Sequence, residues 1–498
     1  MKKLINITTA VILLTFVGVS CDDGFEKINT DPTKATQIGV EYKFPKAILY
    51  TAGQQYESWR GNFIYCSTMV QHLANTQSYW SGDKYFYNSD YSSAYWDANY
   101  PQGIKSIEDM KAQLEASEQT SSPEYAMVRI LRVFAYSRIT DLYGDIPYSQ
   151  AAKAYIEGIS RPAYDNQEDI YADMLNELDE AAASLGSGTA DIGVADILYA
   201  GDQAKWKKWA YSLMLRLGLR LVKVDASAAQ SWATKAISGG VMESNDDIAY
   251  VQHEQGNGIV QNGNGEVFSA DRSARISKTF MDALQGDPRM RVYAALPDGN
   301  EDIAVQKGLP NGMDGTSLQS YSGGADLSTY SEPNSNYLQG EDAPMFWQTY
   351  AEVEFMLAEA AERWGLAGGD PEPHYNAGVT AAMKYLAMYA PGATITDTEI
   401  SVYLAAHPFD AGNALEQINT QYWIATFLDE YEAYANWRRT GYPVLTPVNY
   451  PGNESNGTIP RRLIYPTNEV VLNAENYNAA ISSQGPDKFT TRMWWDAE

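Results

Sequence analysis

The chain has 498 residues, with 36 basic and 63 acidic side chains, a net charge of −27 and 45% apolar residues. That acidic balance, with no window of clustered Lys and Arg, excludes phosphate-backbone binding, which draws its affinity from released counterions. The apolar content is enough for a large core. The 4 histidines are not spaced as a zinc pair, and no HExxH, CxxC, GxSxG or phosphate-loop pattern occurs, so no metal, cofactor or catalytic group is expected.

The first segment reads as an export signal. Lys2 and Lys3 form a positive flank, Leu4 to Phe16 is mostly apolar, and Gly18-Val19-Ser20 places small residues directly before Cys21. The apolar run is too short for a confident membrane span and ends in a processing pattern. Residues 1–20 are therefore expected to be a lipoprotein signal peptide, with acyl chains on Cys21. At roughly 0.8 kcal/mol per buried methylene, more than one chain anchors a protein stably. Residues 21–498 then read as a single domain, with about 21–36 a polar, flexible tether. Cys66, in the apolar run Phe63-Ile64-Tyr65-Cys66, has no partner once Cys21 is acylated and is expected to be a buried, inert thiol.

Aromatic residues crowd the next stretch: Tyr79, Trp80, Tyr85, Phe86, Tyr87, Tyr91, Tyr95, Trp96 and Tyr100. A sugar ring packs its C–H face flat on Trp or Tyr while its hydroxyls need polar partners at the rim. Tyr79-Trp80-Ser81-Gly82-Asp83 offers that mixture, so Tyr79, Trp80, Asp83 and Tyr85 are candidate ligand-binding residues. Packing between helices competes for the same rings, above all for Tyr95 and Trp96.

Helical periodicity dominates the rest. Helices are predicted over 125–142, over 164–185 with a capping box from Asp165 to Glu168 and a stop at Gly186, and over 203–222, where Trp206, Trp209, Leu213, Leu217 and Leu221 share a face. Further helices are predicted over 350–364, 374–389 and 413–434. Pairing of 164–185 with 203–222 and of 350–364 with 374–389 is similar to tetratricopeptide hairpins, although no strict repeat is visible. Between about 240 and 345 the period disappears into Gly, Asn, Ser and Tyr, which predicts a loop-rich insertion, and loops on a rigid scaffold commonly carry binding residues. The expected class is all-α, with tetratricopeptide-like helix pairs as scaffold and the insertion forming the ligand face.

Several separated motifs follow the cysteine in order: Phe25-Glu26-Lys27-Ile28-Asn29-Thr30-Asp31-Pro32; Asp141-Leu142-Tyr143-Gly144-Asp145-Ile146-Pro147-Tyr148; Asp287-Pro288-Arg289-Met290; and Trp437-Arg438-Arg439-Thr440-Gly441-Tyr442-Pro443 with Ile459-Pro460-Arg461-Arg462-Leu463, Tyr465-Pro466 and Glu469. With them the whole chain resembles the SusD/RagB family of outer-membrane nutrient-binding lipoproteins, in its SusD-like branch. The residues themselves read as scaffold: Gly144 suits a helix end, and Arg438, Arg439, Arg461 and Arg462 are forks suited to carboxylates and carbonyls. Asp22-Asp23 with Glu26 resembles the acidic signal that carries such lipoproteins to the surface.

The resemblance implies a lipid-anchored, non-enzymatic protein on the outer membrane facing the cell exterior. It would capture oligosaccharides or polysaccharides and deliver them to a TonB-dependent SusC-like transporter, closing over it as a lid. It also adds Tyr321, Tyr330 and Tyr337 of the insertion as candidate ligand contacts. Oligopeptide capture in the same transport system, a surface glycosidase with two carboxylates in an open cleft, and a scaffold for protein assembly are the alternatives.

Overall fold

In the computed structural model residues 38–256, 258–324 and 326–498 are described, and helices of all kinds together carry most of them. The expectations for the signal segment, Cys21 and the tether through residue 36 fall outside the described residues. The first helices of more than ten residues are α1 (Val40–Ala52), α2 (Lys105–Ala116), α3 (Pro123–Tyr143), α4 (Gln167–Ser184), α5 (Gln203–Arg220) and α6 (Ala226–Gly239). Between α1 and α2 the chain forms a π-helix, Ser58–Ser67, then the short strand β1, Leu73–Ala74. Consecutive members of α3 to α6 pack on one another. Trp206, Trp209, Leu213 and Leu217 of α5 are all fully buried, at 0% exposure, each contributing about 2 kcal/mol by removal from water.

The insertion is more ordered than its lack of period predicts. It holds β2 (Ala249–Gln252), α7 (Gly263–Ala270), β3 (Arg275–Ile276), α8 (Lys278–Ala283), β4 (Ala294–Ala295), α9 (Gly315–Ser322), β5 (Glu332–Pro333) and β6 (Pro344–Gln348). Antiparallel ladders join β1 to β3, β2 to β6 and β4 to β5. Elements this short lie below the length at which period separates helix from strand. The β1–β3 ladder, with Leu73 opposite Ile276, ties the insertion to the aromatic-rich segment and so fixes where the candidate site forms.

The C-terminal half contains α10 (Tyr350–Trp364), α11 (Pro371–Lys384), α12 (Asp397–Ala406), α13 (Ala414–Ala425) and α14 (Glu430–Thr440). Helix α10 packs against α11 and α13, and Val40–Glu498 form one compact unit. Two sequence expectations are corrected. The helix predicted over 413–434 is two helices, because the chain turns at Leu428, whose φ of 77° no helix accommodates. The capping box from Asp165 does not form: α4 starts after Asn166, and the Asp165 carboxylate instead accepts from Tyr148 N–H (3.0 Å), Ser149 N–H (2.8 Å) and Ser149 Oγ (2.7 Å).

The motif residues join distant segments. Gly144 ends α3 at φ 87°, where an added Cβ would meet Gln484 Oε1 at 1.7 Å. Arg438 donates to the Asp141 carbonyl (2.5 Å) and the Arg461 carbonyl (3.0 Å). Arg439 grips Glu359, Arg462 faces Asp487 at 3.2 Å, and Arg289 is held by Asp287 and Gln421. Cys66 is a buried free thiol, raised by desolvation above its ordinary range. No helix among the described residues is long and apolar enough to cross a membrane, and no group of three or more acidic, His or Cys side chains there is placed to hold a metal ion.

Candidate functional site

An open cleft of about 350 Å³ forms where the π-helix meets the aromatic-rich segment and the end of α7; Trp59, Arg60, Ile64, Tyr79, Tyr91, Ala270 and Asp271 line it. The volume falls in the range of small-molecule sites. One extra residue per turn distinguishes a π-helix from an α-helix, and such turns recur at functional sites because they re-aim side chains. Here Trp59 and Arg60 emerge from that turn, both partly exposed.

Three rings surround the Arg60 guanidinium, with centroids 4.0 Å (Tyr56), 5.7 Å (Trp59) and 5.6 Å (Tyr91) from its central carbon. Its Nη1 donates to the Tyr56 carbonyl at 3.1 Å. Contact with the rings and this bond hold the guanidinium in place without a carboxylate partner among the described residues, which leaves donors for a neutral ligand. Opposite, Tyr79 is 39% exposed. Its hydroxyl donates to Asp271 Oδ2 (2.9 Å) and lies 3.1 Å from Ser273 Oγ. Partial burial, with Asp271 adding to it, raises the Tyr79 phenol above its ordinary value, so the ring stays neutral. Asp271 also accepts from Trp80 Nε1 (3.1 Å) and from Ser273 N–H (2.9 Å), which fixes its carboxylate in the cleft.

The structure divides the sequence candidates. Tyr79 lines this cleft, but Trp80, at 0% exposure, lies behind it and is corrected from ligand contact to support. The following turn presses so closely on the π-helix that a Cβ on Gly82 would come 2.0 Å from the Ile64 carbonyl oxygen. Asp83 is buried and accepts from Asn311 Nδ2 (2.7 Å) and Gly312 N–H (2.9 Å). Tyr85 is fully buried and accepts from Val448 N–H at 3.1 Å. Both are buried in packing and neither lines this cleft.

Of the insertion candidates, Tyr330 is fully buried in a small cluster with Ala74, Leu309 and Leu318, so its ring faces no solvent. Tyr337 is half-buried, its hydroxyl 3.2 Å from Glu301 Oε2, and Tyr321 is 52% exposed on α9. None of the three lines the cleft. Trp59, Arg60 and Tyr91 were missed as candidates. The available signal was Tyr56 and Arg60 spaced i, i+4 beside Trp59, a ring–cation arrangement on one helical face, but π geometry is not readable from spacing.

Comparison with known proteins gives the family. Residues 35–466 match the SusD-like family described as starch-binding and associating with the outer membrane. The chain belongs to that family. Among solved structures this SusD-like protein is similar to a chitin-binding protein at 32% identity and TM-score 0.82, over 92% of this chain and 100% of that one. It is also similar to a SusD-like protein, AC2a, from Bacteroidetes (27% identity, TM-score 0.80, 93% and 100% covered) and to a SusD homologue from Bacteroides uniformis (26%, TM-score 0.75, 92% and 100%). No curated protein matches it.

Proposed function

We propose that this SusD-like protein is a lipid-anchored, non-enzymatic glycan receptor on the outer membrane, facing the cell exterior. It captures oligosaccharides or polysaccharides and passes them to a TonB-dependent SusC-like transporter. The observation that carries the reading is the cleft that Trp59, Arg60, Tyr79 and Tyr91 line together. Flat rings take the C–H faces of sugars, while the guanidinium and the Tyr79 hydroxyl serve the rim hydroxyls. The match to a starch-binding family and the likeness to a chitin-binding protein support glycan as the ligand class. A hydrolase would need two carboxylates flanking the scissile bond, whereas among the described residues Asp271 alone brings a carboxylate to this cleft, and it is already bound to three donors.

Isothermal titration of the purified protein against chitin- and starch-derived oligosaccharides, with a peptide panel alongside, tests the reading. Trp59→Ala is expected to cost about 2 kcal/mol of glycan binding, roughly a thirtyfold loss. Undiminished affinity in that variant, binding to peptides alone, or release of shortened sugars would overturn it.

A further inference from the structure

The geometry points to a second carbohydrate subsite, in the cleft between the loop preceding α9 and the segment 446–451, which takes another stretch of the same glycan chain. This rests on the glycan reading of the first cleft. The second cleft is larger, about 570 Å³, and its lining includes Gln71, Thr279, Asn311, Ser317, Asn449 and Tyr450. Amides, hydroxyls and one ring are the donor set a neutral sugar requires. Its charged groups are spent: Lys278 pairs with Asp282. Asp314 caps α9 through the Thr316 and Ser317 N–H groups and accepts the Tyr450 hydroxyl at 2.6 Å. A neutral ligand can bind without displacing any of these pairings.

The walls are held before any ligand arrives. The Tyr450 ring is fixed at one edge by its bond to Asp314 and by Phe86, whose ring lies at 88° and 5.6 Å. Gln71 crosses the floor: its Nε2 donates to the Thr446 carbonyl (2.6 Å) and its Oε1 accepts from Thr279 Oγ1 (2.7 Å). It does so from a left-handed backbone, φ 59°, a conformation that costs energy outside glycine and persists where surrounding bonds impose it. Gly312 closes the far end at φ 74°, with no room for a Cβ, which would meet Val448 Cγ1 at 2.5 Å. A pocket fixed in this way loses little freedom on binding.

The segment Tyr79 to Lys84 connects the two clefts. Tyr79 enters the first, and Asp83 pins Asn311 and Gly312 in the wall of the second. Four residues span at most about 14 Å, which sets the backbone positions that serve the two clefts within the length of a short oligosaccharide. Two weak sites on one rigid body then select long chains over short ones, since the second contact forms at a high effective concentration.

The test is titration of the full mature protein with chitotriose and maltotriose, followed by affinity measurement on soluble polymeric chitin and starch derivatives. For whichever sugar binds, the wild type is expected to take two equivalents of trisaccharide. Tyr450→Ala takes one and binds polymer at least about tenfold more weakly, while Tyr450→Phe, which keeps the ring, retains two. Asn449→Ala, altering an exposed side chain, gives the second-cleft readout should Tyr450→Ala fail to fold, with a several-fold loss expected there. A single equivalent in the wild type, removed by Trp59→Ala alone, would overturn the second subsite and leave the first standing. Unaltered stoichiometry and polymer affinity in both second-cleft variants would overturn it as well. Absence of any glycan binding in the wild type would remove both readings together.

Discussion

Glu57 precedes the π-helix that carries Trp59 and Arg60, and it is buried at 1% exposure. Burial pushes its carboxyl up to about 7, with Glu266 adding to the rise; the Gln54 N–H, donating at 2.7 Å, and Arg60 oppose it. The unfolded chain ionises this group near its ordinary 4.5, so between there and about pH 7 the unfolded state binds fewer protons than the folded one. Glu57 therefore favours the folded state most fully at low pH, and that advantage is lost as pH rises through the folded value. Replacing it by Gln keeps an acceptor for Gln54 and removes the titration. Glu57→Gln is expected to be more stable than wild type at pH 8, by on the order of 3 kcal/mol at most, and to match it near pH 4. Urea unfolding at the two pH values measures this, and equal differences at both would refute it. The same neighbourhood shows how far single residues were legible. Composition located the aromatic surface, but whether Tyr79 or Trp80 faces solvent depends on the close approach of Gly82 to Ile64, a tertiary fact no local pattern encodes.

At the scale of elements, long helices were readable and their junctions were not. Helix α10 has the limits that its apolar spacing predicts, and the structure shows why they are sharp: Thr349 caps it, Glu352 completes a capping box and Gly365 ends it. The break between α13 and α14 was invisible because Ala425 to Tyr434 contains neither Gly nor Pro; it is imposed by tertiary bonds, including Asn62 accepting from Glu430 N–H at 3.0 Å. Helix α14 is tied to α10 through Arg439, whose guanidinium donates twice to Glu359 (2.5 and 2.7 Å), with Arg363 on the same carboxylate at 2.7 Å. Burial alone would raise the Glu359 carboxyl, but the two guanidiniums overcome it and hold it well below the usual range. Arg439→Met leaves that charge buried with its main partner gone, and should cost about 3–5 kcal/mol in chemical denaturation. The double variant with Glu359→Met should recover much of the loss, since an apolar pair of similar volume needs no ionic partner. Equal stability of the single and double variants would show that the pair does not couple the helices.

For the whole molecule, the ordered motifs were more informative than periodicity because they are the joints of the fold: Gly144, Arg438 and Arg439 join segments far apart in sequence, so their presence in order implied the assembly. The candidate cleft was less legible, since it is built from three separate stretches, with the β1–β3 ladder tying the insertion to the aromatic-rich segment. Anchoring can be separated from binding on the same logic. The compact unit begins at Val40, and all the residues that line either cleft lie within it. Cys21 lies outside the described residues, and the lipid expected on it contributes membrane affinity in proportion to its methylenes without entering the core. Cys21→Ala should therefore move the protein from the membrane fraction to the soluble one while leaving its glycan affinity and its unfolding midpoint unchanged. In intact cells, externally added protease should degrade the wild-type protein at the surface. Membrane fractionation that does not respond to the substitution would refute lipid anchoring. A wild-type protein shielded from the protease would place the clefts on the wrong side of the membrane for capture of extracellular glycans.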